Sequence, residues 1–132
     1  MGRYLVERGE RFVAIKPFAS RFEWEIHILP LQHAADFLKA TREDLEDFAQ
    51  VLRRTMARLD KVVGGVQYNS FLHSVPHGSE FDDCQQSYHW HLEICPRTSI
   101  PTGFELGSGL FFSTVSPELA AEALRNAEIG DD

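Results

Sequence analysis

Between Thr41 and Gly64 the sequence carries one apolar stripe, and that stripe constrains the fold more than any other feature. Leu45, Phe48, Val51, Leu52, Met56, Leu59 and Val63 recur at three- and four-residue spacing, the period of one helix face. Thr41 stands where an N-cap belongs, with Asp44 three residues on and Glu43, Glu46 and Asp47 adding negative charge to the early turns. Gly64-Gly65 supplies the stop. The spacing predicts a long helix over about 42–63. Its Met and Phe side chains are core filling. A second, shorter helix is announced by Ser116-Pro117-Glu118, an N-cap, an N1 proline and an acidic first turn, and ends near Ala127.

The rest of the apolar pattern has period two. Tyr4–Glu7 and Phe12–Ile15 flank Arg8-Gly9-Glu10 and read as a β-hairpin. Trp24–Leu29 follows as a third strand, stopped by Pro30. Val66–His73 and Tyr88–Cys95 are two more, separated by a polar loop over residues 76–86, and Leu110–Val115 reads as a sixth. Gly103, Gly107 and Gly109 make the stretch before it glycine-rich and suited to a tight backbone approach to a ligand, without matching a P-loop or a dinucleotide fingerprint. The expectation is an α+β fold: a five- to six-stranded, mostly antiparallel sheet with helices on one face.

At 132 residues the chain suits one domain, 1–132. A formal charge of −7 argues against non-specific binding to nucleic acid or an anionic membrane. It leaves phosphorylated small molecules open, because a few local donors outweigh a global field. No apolar run approaches the roughly 20 residues of a membrane span. The opening MGRYLVERGERF is charged and alternating, unlike a secretory signal. Two cysteines, Cys84 and Cys95, give little disulfide framework. Reduced thiols and a cytoplasmic location are the expectation.

The chemistry is concentrated in SYHWHLEICPR, residues 87–97. Read as a strand, it turns Tyr88, Trp90, Leu92 and Ile94 to one face, and His89, His91, Glu93 and Cys95 to the other. Two histidines at i and i+2 project side by side, Cβ atoms about 6–7 Å apart. That spacing suits two ligands of one metal, or one ring holding a phosphate while the other attacks it. Antiparallel pairing across the 76–86 loop would bring His73 close to both. Three imidazoles and a carboxylate suit zinc or iron. His27 reads as exposed, His33 as the opening of the connection to the helix, and His77 as a loop residue. Cys95 reads as a small packed side chain.

These residues resemble a known family. SYHWHLEICPR resembles the histidine-triad motif, with Glu93 in place of the third histidine. The blocks FVAIKPFASRFEWEIHILPLQH, YNSFLHSVPHG, YHWHLEICPR, GFELGSG and SPELAAEALR occur in the order of the C-terminal half of galactose-1-phosphate uridylyltransferases, members of the same superfamily. The resemblance implies a histidine-triad-like fold and a structural zinc or iron at His73, His89 and His91, completed in the family by a glutamate from the other half. It implies that Phe104 and Glu105 help hold the hexose of a UDP-sugar, and that Asn69 lies near a nucleotide phosphate or ribose. The family's nucleophile lies in a His-Pro-His-Gly-Gln motif of the N-terminal half. Here Val75-Pro76-His77-Gly78 has the nearest letters and lacks the first histidine and the glutamine.

Three functions fit this pattern. One is a module of a hexose-1-phosphate uridylyltransferase, acting on a UDP-sugar or hexose 1-phosphate with a partner chain resembling the N-terminal half. Another is a self-contained histidine-triad-like nucleotidyl hydrolase or transferase with His91 as nucleophile, aided by His89, Asn69 and Glu93 or His77. The third is a non-catalytic dimeric binding module. Family dimers imply a homodimer. His91 cannot be a committed metal ligand and a free nucleophile at once.

Overall fold

The computed structural model describes residues 2–130. Five strands, β1 (Leu5–Arg8), β2 (Phe12–Ile15), β3 (Ile26–Pro30), β4 (Tyr68–His73) and β5 (His91–Pro96), form one sheet in the order β1-β2-β3-β5-β4. Every neighbouring pair is antiparallel. Helices α1 (Arg42–Val63) and α3 (Pro117–Asn126) cover one face, and a short helix α2 (Gly103–Ser108) lies between β5 and α3 in the chain. This is the α+β architecture anticipated above, a five-stranded antiparallel sheet with helices on one face.

Local chemistry sets the limits of α1. The Thr41 side chain accepts from Asp44 N–H while the Asp44 carboxylate takes the Thr41 N–H, and Gly64 closes the helix at φ 73°. Its apolar stripe buries Val51 and Leu59 against Phe12, Ala14, Ile26, Ile28 and Ile94 of the sheet. Trp90 anchors that core, its ring 5.4 Å from Phe12, 5.1 Å from Phe37 and 5.7 Å from Phe48.

Two polar ties fasten the helices. Asp47 of α1 accepts the backbone N–H groups of Glu10, Arg11 and Phe12 at 2.9–3.2 Å and clamps the β1–β2 hairpin. Arg58 donates to Glu7 at 3.0 Å, and to the carbonyls of Arg125 and Ala127 at 2.8 and 2.7 Å. It thereby satisfies carbonyls that the end of α3 leaves without helical partners.

Two expectations fail C-terminal to β5. Residues 110–115 form no strand. Period-two patterning is necessary for a strand but not sufficient; this stretch finds no sheet edge, and Leu110, Phe111 and Phe112 remain exposed. The glycine-rich stretch before it forms α2, a third helix beyond the two that the sequence announces. Its signal was present: Thr102 and Glu105 make a capping box of the same kind as that of α1. The strand expected over 88–95 begins only at His91, which matters for His89. Among the described residues, no helix is long and apolar enough to cross a membrane.

Candidate metal and phosphate site

The sheet face opposite the helices is polar, and strand register decides what meets there. β5 is flanked by β3 and β4. His27 stands across from Glu93 on one side, Phe71 stands across from Glu93 on the other, and His73 stands across from His91. Directly opposed residues share a face. Three imidazoles therefore surround one carboxylate: the Nε2 atoms of His73, His91 and His27 lie 3.4, 3.5 and 3.7 Å from Glu93 oxygens. The His91 ring stacks on both His73 (5.0 Å between centroids) and His27 (5.4 Å).

The surrounding hydrogen bonds orient these rings. His91 Nδ1 lies 3.0 Å from the His89 carbonyl. A carbonyl only accepts, so Nδ1 is the donor here, and Nε2 is the ring nitrogen turned toward Glu93. His73 Nε2 is buried and makes no hydrogen bond. His27 Nε2 lies 2.9 Å from Glu25, a carboxylate only 3% exposed. Burial alone pushes the Glu25 carboxyl up, but the His27 contact and the N–H groups of Phe22 and Arg21 outweigh it and hold the group below its ordinary value. Arg21 reaches Glu93 at 3.5 Å.

This donor set fits a divalent ion. His27, His91 and Glu93 each offer a ligand atom within 4.8 Å of the others. Bonds of about 2.0–2.2 Å to nitrogen and oxygen would separate tetrahedral ligands by about 3.3–3.6 Å, close to the observed spacings. The orphaned His73 nitrogen beside Glu93 lacks the partner that buried polar atoms normally have.

The anticipated residues divide. His73 and His91 meet. His89, lying before β5 begins, turns its Nε2 to the Pro30 carbonyl at 2.8 Å and packs on His33 at 5.6 Å, outside the group. Asn69 lies on the site face of β4, across from Cys95. Phe104 is exposed on α2, and the Glu105 carboxylate is taken up in capping Thr102. His77 lies 3.7 Å from Asp36. Cys95 is fully buried, and burial, followed by the Glu25 and Glu93 charges, pushes its thiol up to about 11. It is a packed thiol. His27, read as exposed, is in fact central. Its alternation with the buried Ile26 and Ile28 already placed it on the polar face; only pairing with β5 shows what it faces.

Lys16 is a buried cation that feels the Glu25 charge. It is 2% exposed, donates to Ser20, and burial, against the pull of Glu25 and Glu23, lowers its pKa to about 8. The folded chain then binds fewer protons than the unfolded one between about pH 8 and the ordinary 10.5, so this group makes stability rise through that window. Lys16→Met is expected to remove that slope. Urea titrations of both proteins from pH 7.5 to 10.5 would check it; parallel curves would refute it.

No family model matches the sequence. The chain is 32% identical over 131 residues to a galactose-1-phosphate uridylyltransferase from Thermotoga maritima, covering 94% of this chain and 41% of that protein. It is 28% identical over 127 residues to an ADP-glucose phosphorylase from Arabidopsis thaliana, covering 96% of this chain and 36% of that protein. The crystal structure of an ADP-glucose phosphorylase from A. thaliana with bound ADP-glucose superposes with a TM-score of 0.83 at 27% identity, over 96% of this chain and 41% of that one. A Zn-bound histidine triad family protein from Mycobacterium smegmatis shares the fold, with a TM-score of 0.63 at 20% identity, over 94% of this chain and 82% of that one. The chain spans about two fifths of the length of the two enzymes it matches in sequence. It is a homologue, over nearly its whole length, of part of the galactose-1-phosphate uridylyltransferases and of the related ADP-glucose phosphorylase, built on a histidine-triad-like fold.

Proposed function

We propose that this chain is a module of a UDP-glucose–hexose-1-phosphate uridylyltransferase, supplying a histidine–carboxylate metal site and part of the UDP-sugar pocket. The observation that carries the reading is the convergence of His27, His73 and His91 on Glu93, in a chain homologous to nucleotide-sugar enzymes. His91 and Glu93 hold the ion, zinc or iron, with His27, and His73 lies at its margin. His89 fixes the His91 tautomer through its carbonyl. Glu93 supplies from within the chain the carboxylate that the family takes from its other half. The ion neutralises Glu93 and offers a fixed positive charge to an anionic ligand. Asn69, Phe104 and Glu105 contribute to the nucleotide-sugar pocket. The His-Pro-His-Gly-Gln motif does not occur in these residues, so nucleotidyl transfer is assigned to a partner chain. A second copy is the proposed mate for the outer edge of β4. That edge carries no lysine, aspartate, glutamate or proline to discourage strand pairing, and exposes Tyr68 and Leu72.

Native mass spectrometry after incubation with UDP-glucose tests these points together. The expected species is a dimer with one divalent ion per chain, the ion being lost in Glu93→Gln and His91→Ala, and no covalent nucleotide. The position of His91 Nε2, turned toward Glu93 at 3.5 Å with Nδ1 held by the His89 carbonyl, also supports a second reading, in which this atom attacks an α-phosphate. A uridylyl adduct abolished by His91→Ala would establish that reading instead. Protein with neither metal nor nucleotide would refute both.

A further inference from the structure

We propose that residues 98–113 form an exchange arm, its Ile100 and Leu106 covering the helix side of β4, at Tyr68 and Leu72, in a second copy of this chain. This rests on the β4 pairing proposed above and assigns what covers the bare side of that strand.

Two apolar surfaces lack a partner within the chain. Tyr68, Ser70 and Leu72 of β4 stand across from Pro96, Ile94 and Leu92, on the core side of the sheet. There α1 packs chiefly on β1, β2 and β3, and α3 on β1. The helix layer stops short of β4, and Tyr68 and Leu72 are left 49% and 44% exposed. The second surface is the arm. Every residue from 97 to 114 except Glu105 is exposed, Ile100 and Leu106 to 86% and 77%. Both ends are held, Arg97 N–H by the Gln67 carbonyl at 2.7 Å and Thr114 N–H by Glu23 at 2.7 Å. Between them lies α2, with its capping box and left-handed Gly109. A six-residue helix is too short to persist in water by itself, so it needs cover. Phe104 and Leu106 are two positions apart and do not share a side of α2. Phe104 is thereby left to the sugar pocket and Leu106 to a second contact.

Twofold symmetry brings the two surfaces together. Antiparallel pairing of two β4 edges sets the start of each strand beside the end of the other. The arm leaves from Arg97, beside the start of β4 and one strand in from its edge, about 10 Å from the partner copy's β4. Residues 98–102 extend to about 16–18 Å before α2 begins. The chain's own Leu72 lies about 14 Å along the strand from Tyr68, whereas the twofold carries the second copy's Leu72 to the root of the arm. Charge favours the contact. A chain of net charge −7 repels its copies, but residues 97–112 hold one arginine and one glutamate, and β4 holds no lysine, arginine, aspartate or glutamate. The surfaces that meet are neutral. Covering Ile100, Leu106, Tyr68 and Leu72 in both copies adds on the order of 800 Å² to the paired edges, which brings the interface into the range of a stable dimer.

Sedimentation equilibrium of the full chain tests this, with Leu106→Asp, Leu72→Asp and, as a control, Phe18→Asp. Phe18 is 71% exposed and lies against Tyr4, beside the opposite edge of the sheet. Leu106→Asp and Leu72→Asp should each raise the dimer dissociation constant at least about thirtyfold, and Phe18→Asp should leave it unchanged. A second measurement does not depend on how the aspartate variants fold. Leu106→Cys in one tagged copy and Leu72→Cys in a differently tagged copy, both with Cys84→Ser, should form a disulfide between unlike copies on mild oxidation. A disulfide formed within a single chain carrying both cysteines would overturn the arm and leave the β4 pairing standing. So would a dimer that protects β4 amides from hydrogen exchange yet is indifferent to Leu106→Asp. A chain that stays monomeric at every concentration would overturn both.

Discussion

Trp90→Ala is expected to lower stability by about 3–5 kcal/mol. The indole is 1% exposed and is packed by Phe12 of β2, Phe48 of α1 and Phe37 of the intervening connection. It joins sheet, helix and connection in one aromatic cluster, and the cavity left behind could not collapse without moving all three. A functional loss should accompany it. Trp90 precedes His91, and its N–H is tied to the Ala34 carbonyl at 2.9 Å, so loosening it frees the start of β5. Urea unfolding together with zinc stoichiometry is the measurement. A variant that kept wild-type stability would show that the core is not organised around this ring.

Asp47→Ala is expected to cost about 2–3 kcal/mol. One carboxylate accepts three consecutive hairpin N–H groups, and charge-assisted bonds of this kind are roughly twice as strong as neutral ones. Asp47→Asn, which keeps one acceptor oxygen, should lose less. Gly9 has a linked role. A Cβ there would lie 2.4 Å from Asp47 Oδ2 and 2.7 Å from Val51 Cγ2, so the hairpin sits on α1 only because that side chain is missing. Gly9→Ala should therefore destabilise by displacing the same contact, and Gly9→Ala/Asp47→Ala should lose less than the sum of the single changes. Additive losses in urea melts would show that the two positions act independently.

Much of the architecture is written locally. The limits of α1 follow from Thr41, Asp44 and Gly64, whose capping bonds span a few residues and need no tertiary partner. Ser116 and Pro117 mark α3 in the same way. The capping box at Thr102 and Glu105 was equally local; the three glycines around it obscured it. Residues 110–115 form no strand for the opposite reason. Alternation over 110–115 is a local property, whereas becoming a strand requires an edge to pair with, and only the packed chain decides that.

The candidate site divides along the same line. Alternation within residues 88–95 is enough to make one face apolar and to put His91 and Glu93 together on the other, because backbone geometry imposes it. Which imidazoles gather around Glu93 depends on how the strands pair. His27 lies 66 positions from Glu93 and is placed beside it by β3–β5 register, while His89, two residues from His91, is drawn to the Pro30 carbonyl because the strand has not yet begun. Periodicity fixes the face a side chain takes; register, set by burying the opposite face against α1 and α3, fixes its neighbours.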